Sequence, residues 1–124
     1  MNDDKLRVLV LDINSKVLLD SLKKNYLFSV TTGKLRTVKI TMKPDVIILD
    51  YSKIHDSYAM QKRMINLIYN FEFKPLIIAC VDSWEHLLYK QAKLFGVDKT
   101  FTLQQLDETN NCLTQYILDN FVEI

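Results

Sequence analysis

The chain is poor in glycine, proline and cysteine, with two of each among 124 residues. The glycine shortage excludes dinucleotide and nucleotide loops, which need glycines after the first strand so that backbone amides can approach phosphate. Here that loop reads Asp12-Ile13-Asn14-Ser15, and the only glycines are Gly33 and Gly96. A flavin phosphate loop fails on the same ground. Cys80 lies in an apolar run and Cys112 in a helical pattern, without C-x-x-C spacing. Both read as small buried residues, which excludes a disulfide framework or a zinc site. No charge of one sign dominates: sixteen basic side chains face fifteen acidic ones, leaving no global field to draw the protein to nucleic acid or an anionic membrane. Apolar runs such as Val8 to Leu11 and Val46 to Leu49 fall far short of the ~20 residues of a membrane span. The N-terminal Met1-Asn2-Asp3-Asp4-Lys5 is acidic and does not read as a secretion signal, so the expected location is cytoplasmic. Hydrolase machinery is missing too, because no G-x-S-x-G elbow exists and neither His55 nor His86 is paired by a motif to a nucleophile.

What is present is an ordinary globular composition, 48% hydrophobic and 25% charged, at a length suited to one domain over residues 1–124. Short runs rich in Val, Ile and Leu predict buried strands at Leu6 to Leu11, Phe28 to Thr31, Val46 to Leu49 and Leu76 to Val81, with a weaker fifth at Thr100 to Thr102. Continuous apolar character marks parallel strands covered on both faces. Helical patterns lie between them. Ser15 predicts the cap of a helix reaching Lys24, Ser57 or a neighbour opens one to about Phe71, and Ser83 caps one ending before Gly96, where Gly96 suits a left-handed C-terminal stop. Met60, Met64, Leu67, Ile68 and Phe71 share one helical face, which makes the methionines core filler. A last helix, about Gln105 to Asn120, carries Leu106, Leu113, Ile117 and Phe121 inward. Gly33 to Lys43 fits both a strand and a helix, and the need for a crossover between parallel strands favours the helix.

In an open α/β sheet, ligands bind beyond the carboxyl ends of the strands. That rule selects Asp12 after the first strand, Asp50 to Ser52 after the third, Cys80 to Ser83 after the fourth, and Leu103 with Gln104 after the fifth. The acidic pair Asp12 and Asp50, on strands expected to be neighbours, is the feature with the most chemistry in it.

The run Pro44-Asp45-Val46-Ile47-Ile48-Leu49-Asp50 resembles the third-strand motif of response-regulator receiver domains, in which the final Asp accepts a phosphoryl group. Leu6 to Asp12 resembles the family's first strand, Gly33 the glycine that opens its second helix, and Pro75 to Cys80 its fourth strand. Ala92 with Phe95-Gly96-Val97-Asp98 is similar to the passage before its fifth. The resemblance implies a three-layer αβα sandwich around a five-stranded parallel sheet of the flavodoxin-like (βα)5 receiver type. It implies no enzyme that turns over a substrate.

Departures from the family concentrate at the chemical positions. The family has two consecutive acids after the first strand, the second being the main direct magnesium ligand, whereas Asp12 here is followed by Ile13. Cys80 replaces a Thr or Ser after the fourth strand, and offers only a weak S–H donor. Leu103 replaces the lysine after the fifth. Lys99 does not substitute, lying four residues earlier and so ~13 Å away along the strand. Phosphoryl transfer relies on positioning and on cations that neutralise the phosphoryl oxygens. The expectation is therefore an atypical or pseudo-receiver in two-component signalling, with no required cofactor and at most weak magnesium binding at Asp12, Asp50 and Ser52. It would work through a signalling partner or a homodimer. The alternative is a working phosphoacceptor at Asp50, served by a histidine kinase. On the fourth family helix Trp84, Leu88 and Phe95 form an inward stripe and Tyr89 points away, which makes Tyr89 a candidate contact residue. Thr100, where the family often has an aromatic switch residue, is the second. Without a compensating cation, Asp12 and Asp50 sharing a site would raise the pKa of one of them.

Overall fold

A computed structural model describes residues 5–38, 43–71, 74–82, 86–108 and 111–121. Its strands are β1 (Leu6–Leu11), β2 (Phe28–Gly33), β3 (Val46–Asp50), β4 (Leu76–Val81) and β5 (Lys99–Thr102). They form one parallel sheet in the order β2-β1-β3-β4-β5, the flavodoxin-like order. The helices are α1 (Lys16–Lys24), α2 (Tyr58–Ile68), α3 (His86–Leu94), α4 (Leu103–Glu108) and α5 (Asn111–Phe121), and a single 3-10 turn, Tyr51–Lys53, follows β3 directly.

Strand pleating sends alternate residues to opposite faces, and each face has its own core. Leu9, Leu11, Ile47, Leu49, Ile77 and Ala79 meet Met64, Leu67 and Ile68 of α2 and Ala92 of α3. Val8, Val10, Val46, Ile48, Ile78 and Phe101 meet Leu18 and Leu22 of α1 and Leu113 and Ile117 of α5. Two helical layers therefore sandwich the sheet. Every residue of β3 is buried, and each large apolar side chain there contributes about 1.5–3 kcal/mol. The methionine prediction holds where it is clearest: Met64 is fully buried, and Met60 packs against the same core. Among the described residues no helix is long and apolar enough to cross a membrane.

The caps read from the sequence act as expected at Ser15 and Ser57, whose hydroxyls accept from the amides of Leu18 and Met60. Ser83 and Trp84 lie outside the described residues. Gly96 stands at φ +105°, and a Cβ there would come within 3.3 Å of the Tyr69 hydroxyl, so only glycine turns the chain from α3 to β5 without strain. At the opposite, N-terminal edge of the sheet, Asp45 accepts from the Arg7 amide and Asp98 from the Ile77 amide, each at 2.8 Å. These two aspartates tie neighbouring strand starts together.

Two sequence expectations change. The helix expected over Gly33 to Lys43 is not formed across 33–38. Thr32 and Gly33 extend β2, pairing with Val10 and Leu11, and the chain then turns with the Val38 amide donating to the Lys34 carbonyl; positions 39–42 lie outside the described residues. The single terminal helix is two. Thr102 and Gln105 exchange side-chain and backbone hydrogen bonds at 3.0 and 3.1 Å, a capping box that starts α4 at once after β5. A second helix, α5, begins at Asn111, and positions 109 and 110 lie outside the described residues.

Candidate functional site

Asp50 is the last residue of β3 and is only 6% exposed. Its backbone leaves the strand for the 3-10 turn, and its Oδ1 accepts from the Ser52 amide at 3.1 Å as that turn's cap. Burial pushes its carboxyl above the usual aspartate range. Lys53 and the Ser52 amide oppose that shift, while the charges of Asp82 and, least of all, Asp12 add to it.

Asp12 lies at the end of the adjacent strand at φ +62°, a left-handed conformation that aspartate tolerates better than most residues. Its amide donates to the Gly33 carbonyl, while its Oδ2 accepts from the Leu35 amide at 3.0 Å. The carboxylate thus secures the turn after β2, and the carbonyl faces Lys53. Asp12 and Asp50 are brought to one corner, but the smallest of the influences on Asp50 is Asp12.

Lys53 was not singled out in the sequence. Its Nζ donates to the Asp12 carbonyl at 2.7 Å and lies 3.7 Å from Asp50 Oδ2. The spacing was the available signal: a 3-10 turn eclipses side chains at i and i+3, which sets Lys53 over Asp50 once the turn is known. Ser52 contributes its hydroxyl, which accepts from the Asp82 amide at 2.8 Å and ties this corner to the end of β4. Tyr51, fully buried, donates its hydroxyl to Gln91 on α3, so the segment after Asp50 is also fastened to a helix.

The three altered positions share one fate. Ile13 and Cys80 are buried and Leu103 half-buried, all in or against the core between the sheet and α1 with α5. Cys80 pairs with Asp50 across the β3–β4 ladder, and burial, reinforced by the Asp50 charge, holds its thiol far above the ordinary cysteine range. A thiolate is disfavoured there. Both cysteines are free, Cys112 being partly buried.

Of the two expected contact residues, Thr100 needs correction. Thr100 is 4% exposed within β5, so its side chain is not available to a partner, because β5 is covered on both faces. Tyr89 is half-buried and near enough to Tyr116 of α5 to oppose its ionisation. The exposed apolar residues of α3 are instead Leu87 and Leu94, at 80% and 83%. Lys99 sits at the start of β5 with its ammonium over the rings of Phe101 and Tyr116, 5.7 and 6.0 Å from their centroids, occupied by aromatic faces and not by the acidic corner.

No family model matches the chain, and no curated protein does. Solved structures do match it. The signal receiver domain of the putative response regulator NarL from Mycobacterium tuberculosis superposes with a TM-score of 0.70 at 20% identity, covering 94% of this chain and 96% of that one. A response regulator receiver protein from Pseudoalteromonas atlantica gives 0.67 at 11%, covering 93% and 98%. A CheY-like response regulator from Mesorhizobium loti gives 0.65 at 12%, covering 90% and 98%.

Proposed function

Starting from a chain with the receiver fold, we propose that it is an atypical receiver: a cytoplasmic, non-enzymatic signalling module that acts through protein contacts without the standard magnesium-dependent phosphorylation of Asp50. The observation that carries this reading is the common placement of Ile13, Cys80 and Leu103 in or against one hydrophobic core. In the family that this chain resembles, those positions supply a metal ligand, a hydroxyl and a lysine to the phosphoryl group. Here they supply hydrocarbon and a protonated thiol, and packing now uses the side chains that chemistry would need. Phosphoryl transfer is positioning plus charge neutralisation, and a corner without the second acid, the hydroxyl and the lysine supplies less of both. The partner is a signalling protein or a second copy of the chain.

Acetyl phosphate and magnesium supplied to the full chain, followed by intact-mass measurement, test the reading. The expected result is no stable phosphoryl adduct. Near-complete labelling that disappears in Asp50→Asn would overturn it and make the chain a working acceptor for a histidine kinase.

A further inference from the structure

In the receiver family this chain resembles, the Asp50 corner holds magnesium; here the donor set for that ion is thinned and a lysine stands among what remains of it. Magnesium demands near-octahedral oxygen ligation, with one or two carboxylates among its ligands. Asp50 accepts from the Ser52 amide at Oδ1 and Asp12 from the Leu35 amide at Oδ2, so each carboxylate has fewer lone pairs to offer a metal. Ile13 is hydrocarbon. Among the described residues no three of His, Cys, Asp or Glu are grouped to hold a metal. Yet a positive charge is present, because the Lys53 ammonium spans the Asp12 carbonyl and the Asp50 carboxylate.

We propose that Lys53 is a tethered cation that takes the place of the divalent ion. This rests on the reading of the chain as a receiver that works without magnesium. The ammonium joins the carboxyl ends of β1 and β3 and offsets the buried Asp50 charge. It also occupies the Asp12 carbonyl, one of the oxygens that faces the corner, and repels any second cation. Since it is covalently attached, the corner keeps one arrangement whatever the metal supply. The Lys53 side chain is 51% exposed, so its removal leaves the core intact.

Manganese titration of the full chain, with the free ion followed by electron paramagnetic resonance, tests the assignment in wild type, Lys53→Met and Lys53→Arg. Lys53→Met should gain an Asp50-dependent site that binds manganese about tenfold tighter or better, as removal of a neighbouring unit charge from a screened corner implies. Lys53→Arg, which keeps the charge, should remain like wild type. Circular dichroism confirms that each variant is folded. Equal manganese affinity in wild type and Lys53→Met overturns the tethered cation. If that equality comes with no phosphoryl adduct on the wild-type chain, the atypical-receiver reading stands alone; an adduct on the wild type overturns that reading instead.

Discussion

The carboxyl edge of the sheet has two corners built in opposite ways. Where β1 meets β3, Asp12, Asp50, Ser52 and Lys53 are polar and hydrogen-bonded: Asp50 to the Ser52 amide, Asp12 to the Leu35 amide, Lys53 to the Asp12 carbonyl. Where β4 meets β5, Cys80 belongs to the core, Leu103 packs against it, and Thr102 spends its hydroxyl on capping α4. The lesson is that one scaffold carries polar or apolar side chains at its strand ends. A polar side chain replaced by an apolar one of suitable shape exchanges desolvation for burial, and the scaffold keeps its register. Function resides in a few grafted side chains, and the fold alone does not preserve them.

An acid at position 13 should break this contrast most severely. Ile13 belongs to the Asp12 loop by sequence but to the hydrophobic core by placement, with 6% exposure. Ile13→Asp removes its apolar burial and introduces a carboxylate among hydrocarbon, so urea unfolding should show a loss of about 3 to 5 kcal/mol. A loss under about 1 kcal/mol, the size expected of a surface change, would mean that Ile13 lines the site and does not belong to the core.

A lysine at position 103, at the other corner, should be far milder. Leu103 opens α4 and is only half-buried. In Leu103→Lys the aliphatic stem can lie where leucine packed while the ammonium reaches water. The expected cost is about 1 kcal/mol or less, measured by the same unfolding. A cost matching that of Ile13→Asp would erase the distinction between a fully absorbed position and a peripheral one.

Much of this arrangement was legible in the residues. Buried parallel strands announce themselves as runs like Val46 to Leu49, and serine caps such as Ser15 and Ser57 have local signatures that tertiary structure did not override. Asp50 stood out because a carboxylate ends an apolar run. Lys53 did not, because its role depends on the turn being 3-10, which periodicity does not encode. Thr100 was misread for a related reason: that the side chain of a β5 residue is buried is a tertiary fact. Helical spacing set Leu88 against the core, where it packs, but did not show the half-burial of Tyr89. The turn after β2 was misread as helix because the bond from the Leu35 amide to Asp12 spans 23 residues, beyond any local pattern.

The smallest effect concerns the one charge that the polar corner does bury. Burial raises the Asp50 carboxyl above its ordinary value of 3.8, with Lys53 and the Ser52 amide pulling the other way. The folded state therefore holds this proton to higher pH than the unfolded chain does. Between 3.8 and the raised folded value the native state binds more protons, so this group's contribution to stability falls as pH rises through that window and is most favourable below it. Most native carboxylates behave in the opposite sense. Asp50→Asn cannot titrate, so urea midpoints of wild type relative to this variant should decline with rising pH across the window and level off above it. Lys53→Met in the wild-type background should widen the window upward, since the nearest opposing charge is gone. If wild type instead gains on Asp50→Asn as pH rises, the ammonium and the turn amide outweigh burial, and the corner holds its carboxylate as a stabilised anion.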